Sequence, residues 1–365
     1  MEQTSSSPET DFAGLLARLP AEMDLDGLAR EHKAIERGRE IADGATLLRL
    51  SLARGPGGLS LRETAAWAST MGIAEISNPG VKYRLDKAVE FLAAVMEAVL
   101  AARSASASLF WPGRSLHLAD GTCISKRGSA GTDWRVHGVF DLGAGGFSQL
   151  ELTDAKGAES VLRGAPVAGE VRIADRYYCR AATLQEFRKG RAGQVDFIVR
   201  VRWNGLRLNA PDGTGFDLIE HLEALAQDTA VHQCEVWAAL RDGTALKLRL
   251  VILRKSAAAA EATITKLLAE ARRRGKRLDP RSLVAAKFVV LATSLPAAGY
   301  PPDEVLSAYR LRWQIELAFK RLKSLLHIDR MPTHTERASR SWLYAHLILA
   351  LLCDDLSQEV LESFP

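Results

Sequence analysis

The chain has 365 residues, 47% of them hydrophobic, which is enough to bury a sizeable core and to form two or three structural units. Its 48 Lys and Arg residues nearly balance 44 Asp and Glu residues, so the net charge of +4 does not by itself indicate a nucleic-acid partner. The longest apolar run, residues 342–353, contains His346 and is too short to cross a membrane, so it predicts a core helix and no membrane association.

Neither the cysteines nor the N-terminus is typical of a secreted or zinc-binding protein. The four cysteines form no CxxC pair and have no paired spacing, which disfavours a zinc site or a disulfide framework and predicts free thiols. The opening sequence MEQTSSSPET has neither the basic nor the apolar segment of a secretion signal. We therefore expect a cytoplasmic protein.

The N-terminal part of the sequence predicts helices. Residues 1–11 are rich in serine and acidic side chains and are predicted to be disordered. Residues 12–53 repeat apolar side chains at helical spacing, with interruptions at Pro20 and Gly44, and a Gly-Pro-Gly-Gly break follows at 55–58. This pattern indicates a small helical bundle.

Two further predicted helices resemble a helix-turn-helix. Ser60 is a suitable N-cap for the first, the turn contains Gly72, and the second is predicted as a single helix from Gly80 to Val99. Lys82 and Arg84 on the second helix would then reach DNA phosphates. An ordinary helical hairpin is the alternative.

The pattern changes from helical to alternating after a Ser- and Ala-rich linker at residues 102–108. The predicted elements are, in order, strands 115–120, 135–141 and 147–153, a short helix 158–162, strand 171–175, helix 181–189 and strand 196–203. Three antiparallel strands followed by a strand-helix-strand unit are the order expected of an RNase H-like core. The predicted fold class is therefore α/β, with an RNase H-like mixed sheet as the core.

Residues 204–295 have a different texture and predict a largely β insertion into this core. Its predicted elements are strand 234–240, a hairpin turn at 241–244, strand 246–253, helix 257–274 and strand 287–293. The predicted domains are an N-terminal helical, DNA-binding domain (1–106), a first core segment (107–203), the insertion (204–295) and a second core segment (296–365).

A long amphipathic helix is predicted near the C-terminal end, before a basic connector at 327–340 and a last helix at 341–361. Pro301 and Pro302, followed by two acidic residues, favour a start here, and the periodicity continues for roughly 25 residues to Leu326. The predicted buried face comprises Leu311, Ile315, Ala318, Phe319, Leu322, Leu325 and Leu326, and the opposite face comprises Tyr309, Arg312, Glu316, Lys320 and Lys323. For an arbitrary helix, that polar face would be a solvated surface with ion pairs.

Four residues of the polar face have a specific spacing: Tyr, two residues, Arg, three residues, Glu, six residues, Lys. This spacing resembles the signature of the DDE transposases of insertion-sequence family four, with Tyr309, Arg312, Glu316 and Lys323 at its positions. The neighbouring run RWQIELAFKRLKS is also similar to that family, and the resemblance extends from about Leu61 onward. It implies a bacterial enzyme with an RNase H-like fold that cuts and rejoins DNA.

Two aspartates at the ends of predicted strands complete the catalytic set that the resemblance implies. Asp120 in the sequence ADGT and Asp175 in ADRYY resemble the family's first and second catalytic motifs, and Glu316 is the third carboxylate. The resemblance implies that these residues bind two Mg²⁺ ions, which Mn²⁺ can replace. Tyr177 stands where the family often has glycine, so the shape of this loop is expected to differ.

The resemblance also implies which residues bind DNA. Tyr309, Arg312 and Lys323 are expected at phosphates near the cleaved end, and Lys320 lies on the same helix face. Arg176 is a further candidate for a phosphate contact, with surface ion pairing as the alternative.

Related enzymes stack an extruded base on an aromatic side chain of the insertion. Trp203 and Trp237 are the candidates in this sequence, with a place in the apolar core as the alternative for each. His117 and His137 lie on strands beside the proposed site and are predicted to be core or surface histidines, with a supporting role at the site as the alternative.

The function implied by the resemblance is transposition of an insertion sequence. Such an enzyme binds the terminal inverted repeats as a homodimer that holds two DNA ends together in a synaptic complex. The enzyme nicks a strand by water attack and uses the freed 3′ hydroxyl for strand transfer. A catalytically silent or truncated DNA-binding derivative that inhibits transposition is one alternative, disfavoured by the presence of all three carboxylates. An RNase H-like nuclease without strand transfer is another, because cutting and joining use the same carboxylates.

Overall fold

The computed structural model describes residues 8–103, 110–190, 194–329, 331–333 and 335–363. No helix in these ranges is long and apolar enough to cross a membrane. The predicted linker 102–108 falls largely outside them. The predicted disordered segment 1–11 falls partly outside, although the chain is already helical from Pro8.

The N-terminal region is helical, as predicted. Its helices are α1 (Pro8–Leu16), α2 (Leu25–Glu31), α3 (Gly44–Arg54), α4 (Leu61–Thr70), α5 (Asn78–Lys87) and α6 (Val89–Ala102). The Glu63 amide donates to the Ser60 hydroxyl and the Ser60 amide donates to the Glu63 carboxylate, so a capping box begins α4. The single helix predicted from Gly80 to Val99 is wrong, because the backbone tightens at Ala88 and separates α5 from α6.

The central sheet begins with five strands in the predicted order. They are β1 (Ser115–Ile124), β2 (Trp134–Asp141), β3 (Gly146–Asp154), β4 (Glu170–Ala174) and β5 (Asp196–Arg200), with helix α7 (Ala181–Lys189) between the last two. Antiparallel β3, β2 and β1 are followed across the sheet by β4 and β5, which run parallel to β1. This mixed α/β arrangement is consistent with an RNase H-like core.

The predicted insertion extends the central sheet. Its elements are β6 (Leu208–Asn209), α8 (Leu218–Ala224), β7 (Val231–Ala239), β8 (Ala245–Arg254), α9 (Ala257–Arg273), α10 (Arg281–Ala286) and β9 (Phe288–Thr293). Strand β9 pairs with β5, and β8, β7 and β6 follow outward, so the described strands form one nine-stranded sheet. The sequence did not predict β6, α8 or α10, and the insertion is mixed α/β rather than largely β.

The connection from β3 to β4 contains no helix at 158–162, contrary to the prediction. Arg172, which is fully buried on β4, donates from Nη1 to three carbonyls of this connection. The acceptors are Val161 at 2.7 Å, Arg163 at 2.8 Å and Gly164 at 3.1 Å. The two backbone groups that a helix at 158–162 would join are bonded to side chains instead: the Ala158 carbonyl accepts from Arg163 Nε at 2.6 Å, and the Leu162 amide donates to the Ser160 hydroxyl at 3.2 Å.

The predicted amphipathic helix is divided into α11 (Pro302–Arg310) and α12 (Trp313–Leu326). At the junction, the Arg312 amide bonds to the Tyr309 carbonyl three residues back, at 3.1 Å. Such a bond tightens the backbone into a 3₁₀-like turn. The prediction of one continuous helix is therefore wrong, although the axis is interrupted for only two residues.

The face of α12 that packs on the sheet is the one predicted, with one exception. Ile315, Ala318, Phe319 and Leu322 are buried. Leu325, predicted to be in the core, is 73% exposed. It lies in the last turn, just before His327, which ends the helix in the left-handed conformation with φ 51°.

The last helix, α13 (Glu336–Ser363), starts before the predicted residue 341 and connects the N-terminal helices to the sheet. It packs against α3, α5 and α6 and against β3. The Arg337 guanidinium donates to both carboxylate oxygens of Glu90, at 3.0 and 2.6 Å, and to the Asp86 carbonyl. One continuous apolar core therefore includes the N-terminal helices, one face of the sheet and α13.

Candidate active site

The parallel pairing of β1 and β4 brings two aspartates together. Ala119 pairs with Ala174, so the next residues, Asp120 and Asp175, lie side by side where β4 ends. Paired strands are about 4.8 Å apart, and so residues remote in sequence become neighbours. A slip of one residue in this register would turn one aspartate to the other face of the sheet.

Helix α12 adds Glu316 to the same region. Phe319 on its buried face contacts Phe147, with ring centroids 5.2 Å apart. It also lies over Gly138 of β2, where an added Cβ would come within 3.0 Å of the Phe319 ring, so the absence of a side chain lets the helix approach the sheet. Asp120 and Glu316 then line one open cavity of about 710 Å³. Lys320 and Lys323 of the predicted DNA-binding set line it as well.

Arg312, at the junction of α11 and α12, connects the carboxylates. Its Nη2 donates to Glu316 Oε1 at 2.6 Å, and its Nη1 lies 3.8 Å from Asp120 Oδ2. Burial opposes its charge, but Tyr309, Glu316 and Asp175 together raise the pKa of Arg312. The guanidinium is therefore a fixed cation among the acidic residues.

The surroundings of Asp120 shift the pKa of its carboxyl group strongly. Burial raises its pKa to about 6, although the Gly121 amide donates to its Oδ1 at 2.8 Å and Arg312 lies nearby. Repulsion from Glu316 and Glu159 adds to this increase. Additional positive charge near Asp120 would oppose the effect of burial.

Three polar residues that lie in this region were not predicted from the sequence to be part of the site. Glu159, in the connection held by Arg172, lies near Asp120 and pairs with Arg135 at 3.5 Å. His327 and Asp329, just after α12, line the same cavity as Glu316. None of them belongs to a spaced motif, and the place of Glu159 depends on tertiary contacts that the sequence pattern does not contain.

The donor chemistry of the site fits divalent cations such as Mg²⁺, which prefer hard carboxylate oxygens. Asp120, Asp175 and Glu316 supply such oxygens from three different elements. Within the described residues, no three acidic, His or Cys side chains are grouped closely enough to hold an ion. The Glu316 side chain is 53% exposed and so has room to turn towards the aspartates.

Two buried donors next to the carboxylates lack hydrogen-bond partners among the described residues. They are the Tyr309 hydroxyl and the Arg312 Nε. Burial raises the pKa of Tyr309 to about 12, so its hydroxyl keeps its proton. A buried donor without an acceptor costs about 1–3 kcal/mol.

Arg176 and Trp203 line a second cavity, of about 210 Å³, formed by the end of β5 and helices α8 to α10. Arg176 is exposed and follows Asp175 directly. The Trp203 ring is half-buried, lies 4.4 Å from the Arg281 guanidinium and donates from Nε1 to Ser282 at 3.2 Å. Of the two predicted stacking residues, Trp203 therefore has a cavity beside it.

The other predicted DNA-binding residues lie away from the carboxylates. Trp237 is half-buried on β7, near the far edge of the sheet. Lys82 on α5 is exposed and pairs with Asp86 at 2.6 Å. Arg84 is only 9% exposed and lies 3.8 Å from Glu40, a burial that disfavours the predicted phosphate contact.

Both histidines near the site are buried. His117 Nε2 lies 3.2 Å from the Ser115 hydroxyl, and His137 Nε2 lies 3.0 Å from the Thr153 hydroxyl. Burial lowers the pKa of His137 to about 4, so its ring is neutral at pH 7. These contacts favour the predicted core role for both residues.

Residues 111–352 match the family of transposase DDE domains. The chain is 39% identical over 359 residues to the putative transposase InsL for insertion sequence element IS186A of Escherichia coli (strain K12), covering 97% of this chain and 96% of that protein. It is 39% identical over 360 residues, with the same coverage, to the transposase for insertion sequence element IS421 of Escherichia coli. The transposase for insertion sequence element IS231F of Bacillus thuringiensis subsp. israelensis is 33% identical over 215 residues, or 59% of this chain and 40% of that protein. The family match spans Asp120, Asp175 and Glu316.

Proposed function

The chain belongs to the DDE transposases of insertion sequences, and from this premise we propose that Asp120, Asp175 and Glu316 are its catalytic carboxylates. As a member of this family, it catalyses DNA cleavage and strand transfer. The assignment of these three residues is supported by the β1–β4 register and by the cavity that Glu316 shares with Asp120.

The observation that carries this proposal is the pair of unsatisfied buried donors beside the carboxylates. One phosphate group of DNA has enough acceptor oxygens for both the Tyr309 hydroxyl and the Arg312 Nε. Binding it would remove a penalty of about 1–3 kcal/mol for each donor. Carboxylates alone would repel a phosphate, so these two donors make the acidic site suitable for DNA.

Each residue has a separate role in the proposed reaction. When bound by the three carboxylates, two divalent cations, Mg²⁺ or in its place Mn²⁺, would activate the attacking hydroxyl group and neutralise charge on the leaving oxygen. Arg312 keeps a positive charge against the phosphate as negative charge develops on its oxygens. Tyr309 donates its hydroxyl proton in a hydrogen bond and orients that phosphate.

The surfaces around the carboxylates support a path for the DNA. We propose that Lys320 and Lys323 in the larger cavity neutralise neighbouring phosphates, and that Arg176 does so on the other side of Asp175. Trp203 is proposed to stack on an extruded base at the smaller cavity. Two copies of the chain would hold the two terminal inverted repeats in a synaptic dimer.

The test is cleavage and joining of labelled DNA that carries the terminal inverted repeat, in Mg²⁺, by the native protein and by Glu316→Gln. We expect the native protein to nick at the repeat end and join the 3′ hydroxyl. The variant should bind similarly and cleave on the order of 10³-fold more slowly, because it loses several kcal/mol of charge stabilisation. Glu261→Gln, on the exposed surface of α9, is the matched control and should retain activity.

Other outcomes would replace the proposal. If the native protein binds the repeat and does not cut it, the chain is a silent DNA-binding derivative that inhibits transposition. If it cuts and does not join, it acts as an RNase H-like nuclease. Equal cleavage by Glu316→Gln and the native protein would remove Glu316 from the catalytic set.

A further inference from the structure

The turn after Asp175 presents an exposed aromatic ring. Tyr177 is 52% exposed, whereas the next residue, Tyr178, is 2% exposed. The Tyr178 amide donates to the Asp175 carbonyl at 3.0 Å and forms a one-turn 3₁₀ helix, Arg176–Tyr178. Because Tyr178 is fixed in the core, Tyr177 is held outward, two residues from a proposed catalytic carboxylate.

Two arginines border the Tyr177 ring. The guanidinium carbons of Arg176 and Arg202 lie over the ring, 5.6 and 6.0 Å from its centroid, at the outer limit of a cation–π contact, and the side chain is still half-exposed. Both arginines line the cavity at the end of β5, as does Arg200. Among the described residues, no carboxylate forms an ion pair with any of these three cations.

An open ring beside unpaired cations has the chemistry that binds a nucleotide. Bases stack on aromatic faces without regard to sequence, and the phosphates between them pair with cations. An exposed tyrosine by itself needs no explanation. Tyr177 differs because it lies two residues from Asp175 and because its neighbours Arg176 and Arg202 form no ion pair among the described residues.

We propose that Tyr177 stacks on a nucleobase of the DNA end whose backbone lies at the carboxylates, while Arg176 and Arg202 contact the adjacent phosphates. This inference rests on the proposed function. It gives the site a second stacking residue besides Trp203, and one that belongs to the turn carrying Asp175.

The experiment uses a repeat-end duplex with 2-aminopurine at each of its terminal positions in turn, bound by the full chain in Ca²⁺. We expect binding of the native protein to change the fluorescence at one position. Tyr177→Phe keeps the ring and should reproduce this change. Tyr177→Leu keeps apolar bulk and loses the ring, so the change should disappear and binding should weaken by roughly 5- to 100-fold.

Controls separate this inference from the proposed function. Cleavage in Mg²⁺ by the native protein tests the function itself, and thermal unfolding of Tyr177→Leu checks that the exposed substitution leaves the fold intact. If the native protein cleaves the repeat and Tyr177→Leu matches it in fluorescence and affinity, stacking by Tyr177 is overturned and the function stands. Equal losses for Tyr177→Phe and Tyr177→Leu would also overturn it, because the hydroxyl and not the ring would be responsible. A native protein that neither binds nor cleaves the repeat overturns both.

Discussion

Charged residues lie at the start of strand β4 and just beyond its end, and the two places differ in whether those charges form ion pairs within the fold. At its start, Glu170 and Arg172 are both fully buried and form an ion pair at 2.5 Å. Glu170 also accepts from the Val167 amide at 2.9 Å, and the Arg172 guanidinium lies over the Phe187 ring at 4.9 Å. Beyond its other end, the Arg176 side chain has no ion pair in the described chain.

The difference separates structural charges from charges available to a ligand. In the ion pair at the start of β4, Arg172 also donates hydrogen bonds to the connection that carries Glu159, and so it fixes the backbone of that connection. At the opposite end, the Tyr309 hydroxyl and the Arg312 Nε are buried and have no hydrogen-bond partner among the described residues, although Arg312 Nη2 donates to Glu316. Arg172 Nη2 at the start of β4 also has no hydrogen-bond partner among the described residues, so what distinguishes the Tyr309 and Arg312 donors is that they lie beside the proposed catalytic carboxylates.

The largest effect is expected when the Glu170–Arg172 ion pair at the start of β4 is broken. Arg172→Met would leave the Glu170 carboxylate buried and uncompensated, so the free energy of unfolding should fall by about 3–5 kcal/mol. Denaturant unfolding measures this change. The double variant with Glu170→Leu removes both charges and should recover much of the loss. If the double variant is no more stable than the single one, the ion pair is not what holds this end.

The next largest effect is expected when the charge of Asp175, just beyond the end of β4, is removed. Asp175→Asn keeps the shape of the side chain and removes its charge, so cleavage should fall by roughly 10²–10³-fold, by analogy with other single groups that stabilise transition-state charge. The free energy of unfolding should change by less than about 0.5 kcal/mol, because the half-buried Asp175 side chain forms no ion pair among the described residues. Single-turnover cleavage and denaturant unfolding measure the two quantities. Asp154→Asn, at the exposed end of β3, is the matched control, and a comparable loss there would contradict a specific role for Asp175.

Local patterns in the sequence were sufficient to predict much of this arrangement. Alternation predicted β1 to β4, and the spacing from Tyr309 to Lys323 predicted which face of the helix carries the polar side chains. A parallel β1–β4 pair does not by itself fix the register, so the pairing of Ala119 with Ala174, which brings the two aspartates together, is seen only in the structure.

Features that depend on tertiary contacts were not predictable. Residues 158–162 were predicted as a helix, but side chains bond the groups that such a helix would join, namely the Ala158 carbonyl and the Leu162 amide. The break before Trp313 leaves both halves amphipathic, and so periodicity does not detect it. Arg84 has the spacing of a DNA contact on α5, yet packing buries it. The periodicity of apolar residues contains none of these side-chain contacts and turns.

A smaller effect tests whether the planar geometry of the Arg312 guanidinium matters beside the carboxylates. Arg312→Lys retains the charge but loses the planar fork that reaches Glu316 and faces Asp120, so cleavage should fall by about 10-fold or somewhat more. DNA affinity at low salt should change little, because the charge is kept. Arg310→Lys, exposed at the end of α11, is the matched control. An equal loss for Arg310→Lys would mean that general surface charge explains the result.

The smallest effect measures one phosphate contact. Lys323 lines the cavity with Asp120 and Glu316, so Lys323→Ala should weaken repeat binding a few-fold and reduce the slope of log K against log salt by about 0.9. Fluorescence anisotropy over a range of salt concentrations measures that slope. Lys247→Ala is the control, because Lys247 lies on β8 and is already paired with Glu235 at 3.0 Å. An unchanged slope for Lys323→Ala would place the DNA backbone outside this cavity, and the unsatisfied donors of Tyr309 and Arg312 would then need another ligand.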